Sequence, residues 1–163
     1  MRAAILRDDS GSLVIEDVNI DKPGRNEVLI QTVASGLCHS DLHFIDGSWS
    51  ILAMYPMLLG HEAAGIVQAV GDDVVGIDVG DHVITCLSIF CGHCDRCLTG
   101  HSYICSRRQE IQDRPMGQPP RITDADGAAV NQFTGLGSFG QEMLVHQNGV
   151  VRISQDMPLD RAA

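Results

Sequence analysis

Between Cys91 and Cys105 the sequence reads CGHCDRCLTGHSYIC, and no other stretch constrains the fold as strongly. Cys91, Cys94, Cys97 and Cys105 follow the spacing C-x2-C-x2-C-x7-C. A lone cysteine commonly behaves as a small buried apolar residue. Four at this spacing read as a ligand set, because a two-residue gap lets the backbone turn tightly and aim neighbouring sulfurs at one cation. Structural zinc takes four such ligands tetrahedrally at about 2.3 Å. An iron–sulfur cluster is the metal rival, since the bacterial ferredoxin run also opens C-x2-C-x2-C. That run continues with a three-residue gap and Cys-Pro, whereas here the last gap is seven and Ser106 follows Cys105. A disulfide pair is the alternative without metal, and it belongs to a secretory context. His93 and His101 lie inside the stretch and are expected to face solvent, because four sulfurs complete a tetrahedral shell.

The 163 residues suffice for one domain with a real core. A net charge of −10, with no Lys/Arg-rich block, argues against nucleic acid or an anionic membrane as partner. The N-terminal MRAAILRDDS has too short an apolar stretch for a signal peptide, and nowhere do eighteen apolar residues run together. A soluble cytoplasmic protein is the expectation, and reduced thiols fit that compartment. Seventeen glycines and 4% aromatics point to many turns and a β-rich core of Val, Ile, Leu and Ala.

Residues 1–7 and 13–18 read as two strands around Asp8-Asp9-Ser10-Gly11, with Leu13 and Ile15 alternating against polar neighbours. A third strand covers 28–35. Next, Cys38, His39, Ser40, Asp41 and His43 crowd into six positions, which reads equally as a functional cluster and as a polar loop. Gly60-His61-Glu62 precedes a strand through Ile66, Val67 and Val70, with Gly65 and Gly71 marking tight turns or close backbone approach. A strand over 83–87 delivers the chain into the cysteine lobe, and His82 and Cys86 beside it read as structural. Residues 106–137, with Pro115, Pro119 and Pro120, predict a long irregular surface excursion. Strands over 138–146 and 150–153 around Asn148-Gly149 predict a hairpin. Gly135-Leu-Gly-Ser-Phe-Gly140 fits the glycine positions of a nucleotide loop but lacks a preceding strand and a following helix. Met157-Pro158-Leu159-Asp160 opens a helix where the sequence ends, so truncation is expected.

Three of these features together carry a family resemblance. Cys38-His39-Ser40-Asp41-Leu42-His43, the GHE-x2-G-x5-G-x2-V stretch from Gly60 to Val74, and the four-cysteine lobe occur in this order. Across residues 1–163 the chain resembles the N-terminal catalytic domain of zinc-dependent medium-chain alcohol dehydrogenases. The resemblance implies a mainly β fold: a GroES-like, partly open β-barrel with short helices and a structural zinc lobe at 88–106. It also implies that a nucleotide-binding domain, absent here, follows.

For the site, the resemblance implies Cys38 and His61 as ligands of a catalytic zinc, with Glu62 as an alternate ligand and a third ligand beyond Ala163. Asp41 matches a residue that holds the zinc-binding histidine. Ser40 and His43 match a proton relay, His39 a position near the cofactor pyrophosphate, and Trp49 and Leu87 substrate-pocket positions. Implied cofactors are zinc, one structural and one catalytic, and NAD or NADP. Implied partners are a small alcohol or aldehyde and, for the full-length protein, further copies of itself. The expected activity is oxidation of an alcohol to an aldehyde or ketone, with residues 1–163 inactive alone. Two alternatives stand beside it: a non-catalytic, zinc-stabilised binding or assembly module of the same fold, which needs only the lobe, and a zinc-free quinone reductase, whose relatives generally lack both the lobe and the Cys/His pair.

Overall fold

A computed structural model describes residues 1–163. Eleven strands follow in order: β1 (Arg2–Leu6), β2 (Leu13–Asp17), β3 (Asn19–Ile20), β4 (Glu27–Ser35), β5 (Met57–Leu58), β6 (Ala63–Val70), β7 (His82–Thr85), β8 (Ile122–Thr123), β9 (Asn131–Gln132), β10 (Glu142–His146) and β11 (Val150–Arg152). Between them lie four short helices: α1 (His39–Ile45), α2 (Asp95–Leu98), α3 (Gln109–Gln112) and α4 (Leu159–Ala162). No helix is long and apolar enough to cross a membrane.

The larger sheet has the order β10-β4-β6-β7-β11, and the smaller one β2-β1-β5-β9. In the larger sheet β10 and β11 are opposite edges, yet only Gln147–Gly149 separates them. Laid flat, five strands would hold the edges about 19 Å apart at about 4.8 Å per spacing. Four residue steps reach about 14 Å. The sheet therefore curls until its edges approach, which makes the partly open barrel. This corrects the expected hairpin: β10 pairs with β4 and β11 with β7, and Asn148-Gly149 turns the chain from one edge to the other.

Bending is also built into β4, the longest strand. Its pairing with β6 shifts register between Leu29 and Ile30 and again between Thr32 and Ala34; such irregularities bend a strand and increase its twist. Gly65 lies opposite Thr32, where a Cβ would come within 2.2 Å of the Gln31 carbonyl oxygen. Only glycine lets β4 and β6 approach this closely. Inside the barrel, Val28, Ile30, Val67, Val83, Leu136, Met143 and Val145 form one apolar cluster. A smaller cluster of Leu6, Phe44, Met57 and Leu59 lies beneath α1 and supports the candidate site.

One other expectation is corrected. The 106–137 excursion is tied into the core. Arg121, Ile122, Asp124, Val130 and Leu136 are buried, and both Arg114 and Arg121 reach the buried carboxylate of Glu27, at 2.6 and 2.7 Å. Gly24 N–H donates to the same carboxylate at 2.7 Å.

Burial alone would raise the pKa of Glu27, but the hydrogen bonds from Arg114 and Arg121 outweigh it and bring it from 4.5 to about 2. A carboxylate with a depressed folded-state pKa contributes stability that is complete above its unfolded value and is lost as pH falls through the folded one. Glu27 therefore stabilises the fold fully above about pH 4.5, and that contribution fades toward about pH 2. Glu27→Gln leaves the buried Arg121 guanidinium without a carboxylate and Arg114 with Asp21 alone, and should cost about 3 kcal/mol in urea denaturation at pH 7. The gap between the two proteins should close on acidification. An unchanged urea midpoint in the variant would show that the cluster contributes nothing.

Candidate metal centre

The lobe gathers all four of its cysteines. Sγ–Sγ separations are 3.9 Å for Cys91–Cys97, 3.5 Å for Cys94–Cys97 and 3.9 Å for Cys94–Cys105. A tetrahedron of sulfurs with bonds of about 2.3 Å has edges of about 3.8 Å, so the residues fit zinc in a closed shell. A disulfide would bring two sulfurs to about 2.05 Å, and all six cysteines are free. The peptide N–H groups of Cys91 and Cys94 donate to Cys105 Sγ and Cys91 Sγ, each at 3.3 Å. Hydrogen bonds from the Cys97 backbone and the Ser106 side chain bring the Cys94 thiol down to about 5. Burial pushes Cys97 up to about 11. Crowded thiols of this kind do not all ionise together unless a cation balances them. His93 and His101 are exposed and stand outside the sulfur group; His93 Nδ1 lies 3.0 Å from the Cys91 carbonyl and Nε2 lies 3.2 Å from Arg107.

A second group, Cys38, His61 and Glu62, brings its ligand atoms within 4.8 Å of one another. The chain leaves β4 extended, and Cys38 (φ −95°, ψ 150°) caps α1. Asp41, in the first turn, makes the junction: its Oδ2 accepts the Cys38 N–H at 3.3 Å and its Oδ1 accepts the Gly60 N–H at 2.9 Å. One buried carboxylate thereby holds both segments that carry the cluster. Gly60 has φ +86°, and a Cβ there would come within 2.4 Å of Ser138 Oγ and 2.5 Å of Phe139. Ser138 and Phe139 donate their N–H groups to Gly60 and Leu59, each at 3.0 Å. The Gly135–Gly140 segment is thus a support for the site, running antiparallel to the chain around Gly60, and β10 rather than a helix follows it.

His61 is buried, at 4% exposure. Its Nδ1 lies 3.5 Å from Asp41 Oδ1, too far for a full hydrogen bond, and has no other partner. An orphaned, buried ring nitrogen facing a carboxylate is the arrangement in which Nδ1 carries the proton and Nε2 is left free as a ligand. That Nε2 is 3.9 Å from Glu62 Oε1, on a side chain that is 47% exposed. The donor set of sulfur, imidazole nitrogen and carboxylate oxygen suits zinc. The cluster is looser than the lobe and open on the Glu62 side.

Around it, Ser40 Oγ lies 3.6 Å from Cys38 Sγ. On α1 and just beyond it three rings pack in a row: His39 meets His43 edge-on at 4.7 Å, and His43 lies 4.7 Å from Trp49. His43 Nδ1 is buried without a partner. Trp49 also packs edge-on against Phe44 and stays 37% exposed. Leu87, 40% exposed, is not placed by α1; it lies past the end of β7, at the neck of the lobe. Cys86 is exposed and His82 sits in β7 with Nδ1 buried and unpaired; neither belongs to a ligand-forming group.

Two residues at the site had no sequence signal. Phe133, from the Pro-containing excursion, sets its ring edge-on to His61 at 5.1 Å and against Phe44 at 4.9 Å, forming an apolar wall. Thr85 Oγ1 accepts the Ala63 N–H at 3.1 Å and so fixes the chain just after the cluster. Neither sits in a pattern that local spacing would single out.

The family model of the alcohol dehydrogenase GroES-like domain matches residues 24–155. Alcohol dehydrogenase-like 1 of Arabidopsis thaliana is 34% identical, the match covering 99% of this chain and 42% of that protein. NDMA-dependent alcohol dehydrogenase of Amycolatopsis methanolica is 35% identical, covering 99% and 43%. Among solved structures, an alcohol dehydrogenase zinc-binding domain protein from Burkholderia ambifaria superposes with a TM-score of 0.86 at 33% identity, covering 97% of this chain and 43% of that one. The chain spans less than half the length of the relatives it matches. With the matched model covering most of its residues, the chain belongs to the alcohol dehydrogenase GroES-like domain family.

Proposed function

We propose that residues 1–163 form the catalytic domain of a zinc-dependent alcohol dehydrogenase, which oxidises a small alcohol to an aldehyde or ketone with NAD or NADP as hydride acceptor. The observation that carries this reading is the convergence of Cys38, His61 and Glu62 at an opening flanked by Ser40 and aromatic side chains. The four-cysteine lobe alone would suit a binding module equally well; this second cluster would have no purpose there.

Zinc supplies Lewis-acid polarisation of an alcohol oxygen, and the nicotinamide supplies the hydride acceptor. In this reading Cys38 and His61 hold the metal, and Glu62 is the carboxylate within reach when no other ligand is present. Asp41 keeps the His61 ring in one orientation, through a contact of the kind that tunes metal affinity. The Ser40 hydroxyl, beside Cys38 Sγ, would take the proton that the alcohol gives up while handing its own to the cofactor ribose, and His43 on the same helix would carry a proton from the ribose outward. Phe133, Phe44 and Trp49 keep water from one side of the site, which strengthens every charge interaction inside it. Leu87 gives an apolar surface to the alcohol carbon chain. His39 faces the cofactor. The relatives extend well beyond the stretch matched here, and in this reading NAD or NADP is held outside residues 1–163, so that these residues alone do not turn over.

Metal analysis after gel filtration should find one zinc per chain retained by the lobe and a second held weakly, with no change in NADH fluorescence on titration. Two tightly held zinc ions, or clear NADH binding, would contradict the division of roles. Chelation should raise amide exchange across residues 88–106 well above that of the barrel strands, because the lobe lacks an apolar core of its own and depends on the metal for its fold. Equal protection with and without chelator would show that the sulfur group holds no structural ion.

A further inference from the structure

Residues 88–107 leave and rejoin the barrel through one neck, closed by three hydrogen bonds. Cys86 N–H donates to the Gly149 carbonyl at 2.9 Å, Asn148 Nδ2 to the Phe90 carbonyl at 2.7 Å, and Arg108 Nη2 to the Leu87 carbonyl at 2.7 Å. The third differs from the others. It joins the residue before the lobe to the residue after it, and its donor is charged, which makes it the strongest type of the three.

Arg108 is itself braced. Its Nε donates to Gln112 Oε1 at 3.2 Å, the Gln112 carbonyl accepts from Arg121 Nη1, and Arg121 Nε binds the buried Glu27 at 2.7 Å. The guanidinium that pins Leu87 therefore rests on the ion cluster that anchors the 106–137 excursion. On the other side, Cys91 lies four positions after Leu87 and Cys105 three before Arg108, so the sulfur group fixes the spacing of the two partners. Leu87 has a side chain 40% exposed and no strand pairing. Its position depends on its main chain, which Cys86 and Phe90 tether on either side and which the Arg108 bond holds at Leu87 itself.

We propose that Arg108 is a positioning residue for the candidate site: it fixes the apolar surface that Leu87 presents to the alcohol and couples that surface to the metal-filled lobe. This rests on the placing of Leu87 beside the substrate in the preceding reading. Arg108 touches no reacting atom; its effect passes through the Leu87 carbonyl.

The test uses the zinc-loaded chain and two variants, Arg108→Met, which keeps the length but no donor, and Arg108→Lys, which keeps one charged donor. Trp49 is the sole tryptophan, so its emission reports binding of a small aromatic alcohol, benzyl alcohol. Arg108→Met should retain the tightly bound zinc, raise amide exchange at residues 86–90 by about five- to tenfold, and weaken benzyl alcohol by a similar factor. Arg108→Lys should recover part of both. Unchanged exchange at 86–90 overturns the proposal, as does loss of the zinc, which would make Arg108 a folding residue of the lobe. Raised exchange with unaltered alcohol affinity also overturns it, by confining Arg108 to the neck. If the unsubstituted chain shows no Trp49 response to benzyl alcohol, the alcohol reading fails and the proposal falls with it; that failure is recognisable because the exchange at 86–90 still responds to the variants.

Discussion

The candidate site depends on a single buried carboxylate. Asp41 caps α1 through the Cys38 N–H, takes the Gly60 N–H with its other oxygen, and faces Nδ1 of His61. Those two hydrogen bonds fasten the start of α1 to the turn that precedes β6, beside the main-chain bond from the Gly36 N–H to the Glu62 carbonyl at 2.8 Å, and so set the spacing of the cluster. The carboxylate can do this because Gly60 occupies a backbone conformation that no side chain fits, pressed against Ser138 and Phe139. The sheet supplies the rest: antiparallel pairing of β4 with β6 sets Ser35 opposite Ala63, so that the segments just outside the two strands, with residues 38 and 61, meet.

The two cysteine-containing groups differ in a way that matches their different roles in the proposed reading. The lobe's sulfurs already stand at tetrahedral spacing and are furnished by one short stretch with almost no apolar interior. A closed four-sulfur shell of that kind stabilises a fold and leaves no position for a substrate. The second group is assembled from two distant segments, is backed by aromatic rings, and stays open on one side. An open position beside a hydroxyl is what a reacting oxygen needs.

Legibility in the sequence followed the distance over which an interaction acts. The lobe was readable from spacing because all four cysteines lie within fifteen residues. Cys38 and His61 were not readable as a pair from residues alone; only the order of three motifs suggested it, and the structure then brought the two together with Glu62. The barrel class followed from the same resemblance, whereas its closure did not follow from local signals. Asn148-Gly149 marks a turn correctly, but a turn does not say which strands pair, and here the flanking strands take opposite edges. Arg114 and Arg121 sit among prolines and read as surface until Glu27, roughly ninety positions away, is known to be buried beside them. Phe133 was invisible for the same reason.

The central claim is that Asp41 organises a metal site distinct from the lobe. Asp41→Asn preserves the side chain's shape and an acceptor for the Gly60 N–H while removing the charge behind His61. The decisive measurement is the affinity of each of the two sites for cobalt(II), followed by the thiolate absorption of the bound ion in the unsubstituted chain and in Asp41→Asn. The account predicts that the weaker site loses about ten- to a hundredfold in affinity while the lobe site is unchanged. Equal affinities in both proteins, or a parallel loss at both sites, would contradict it.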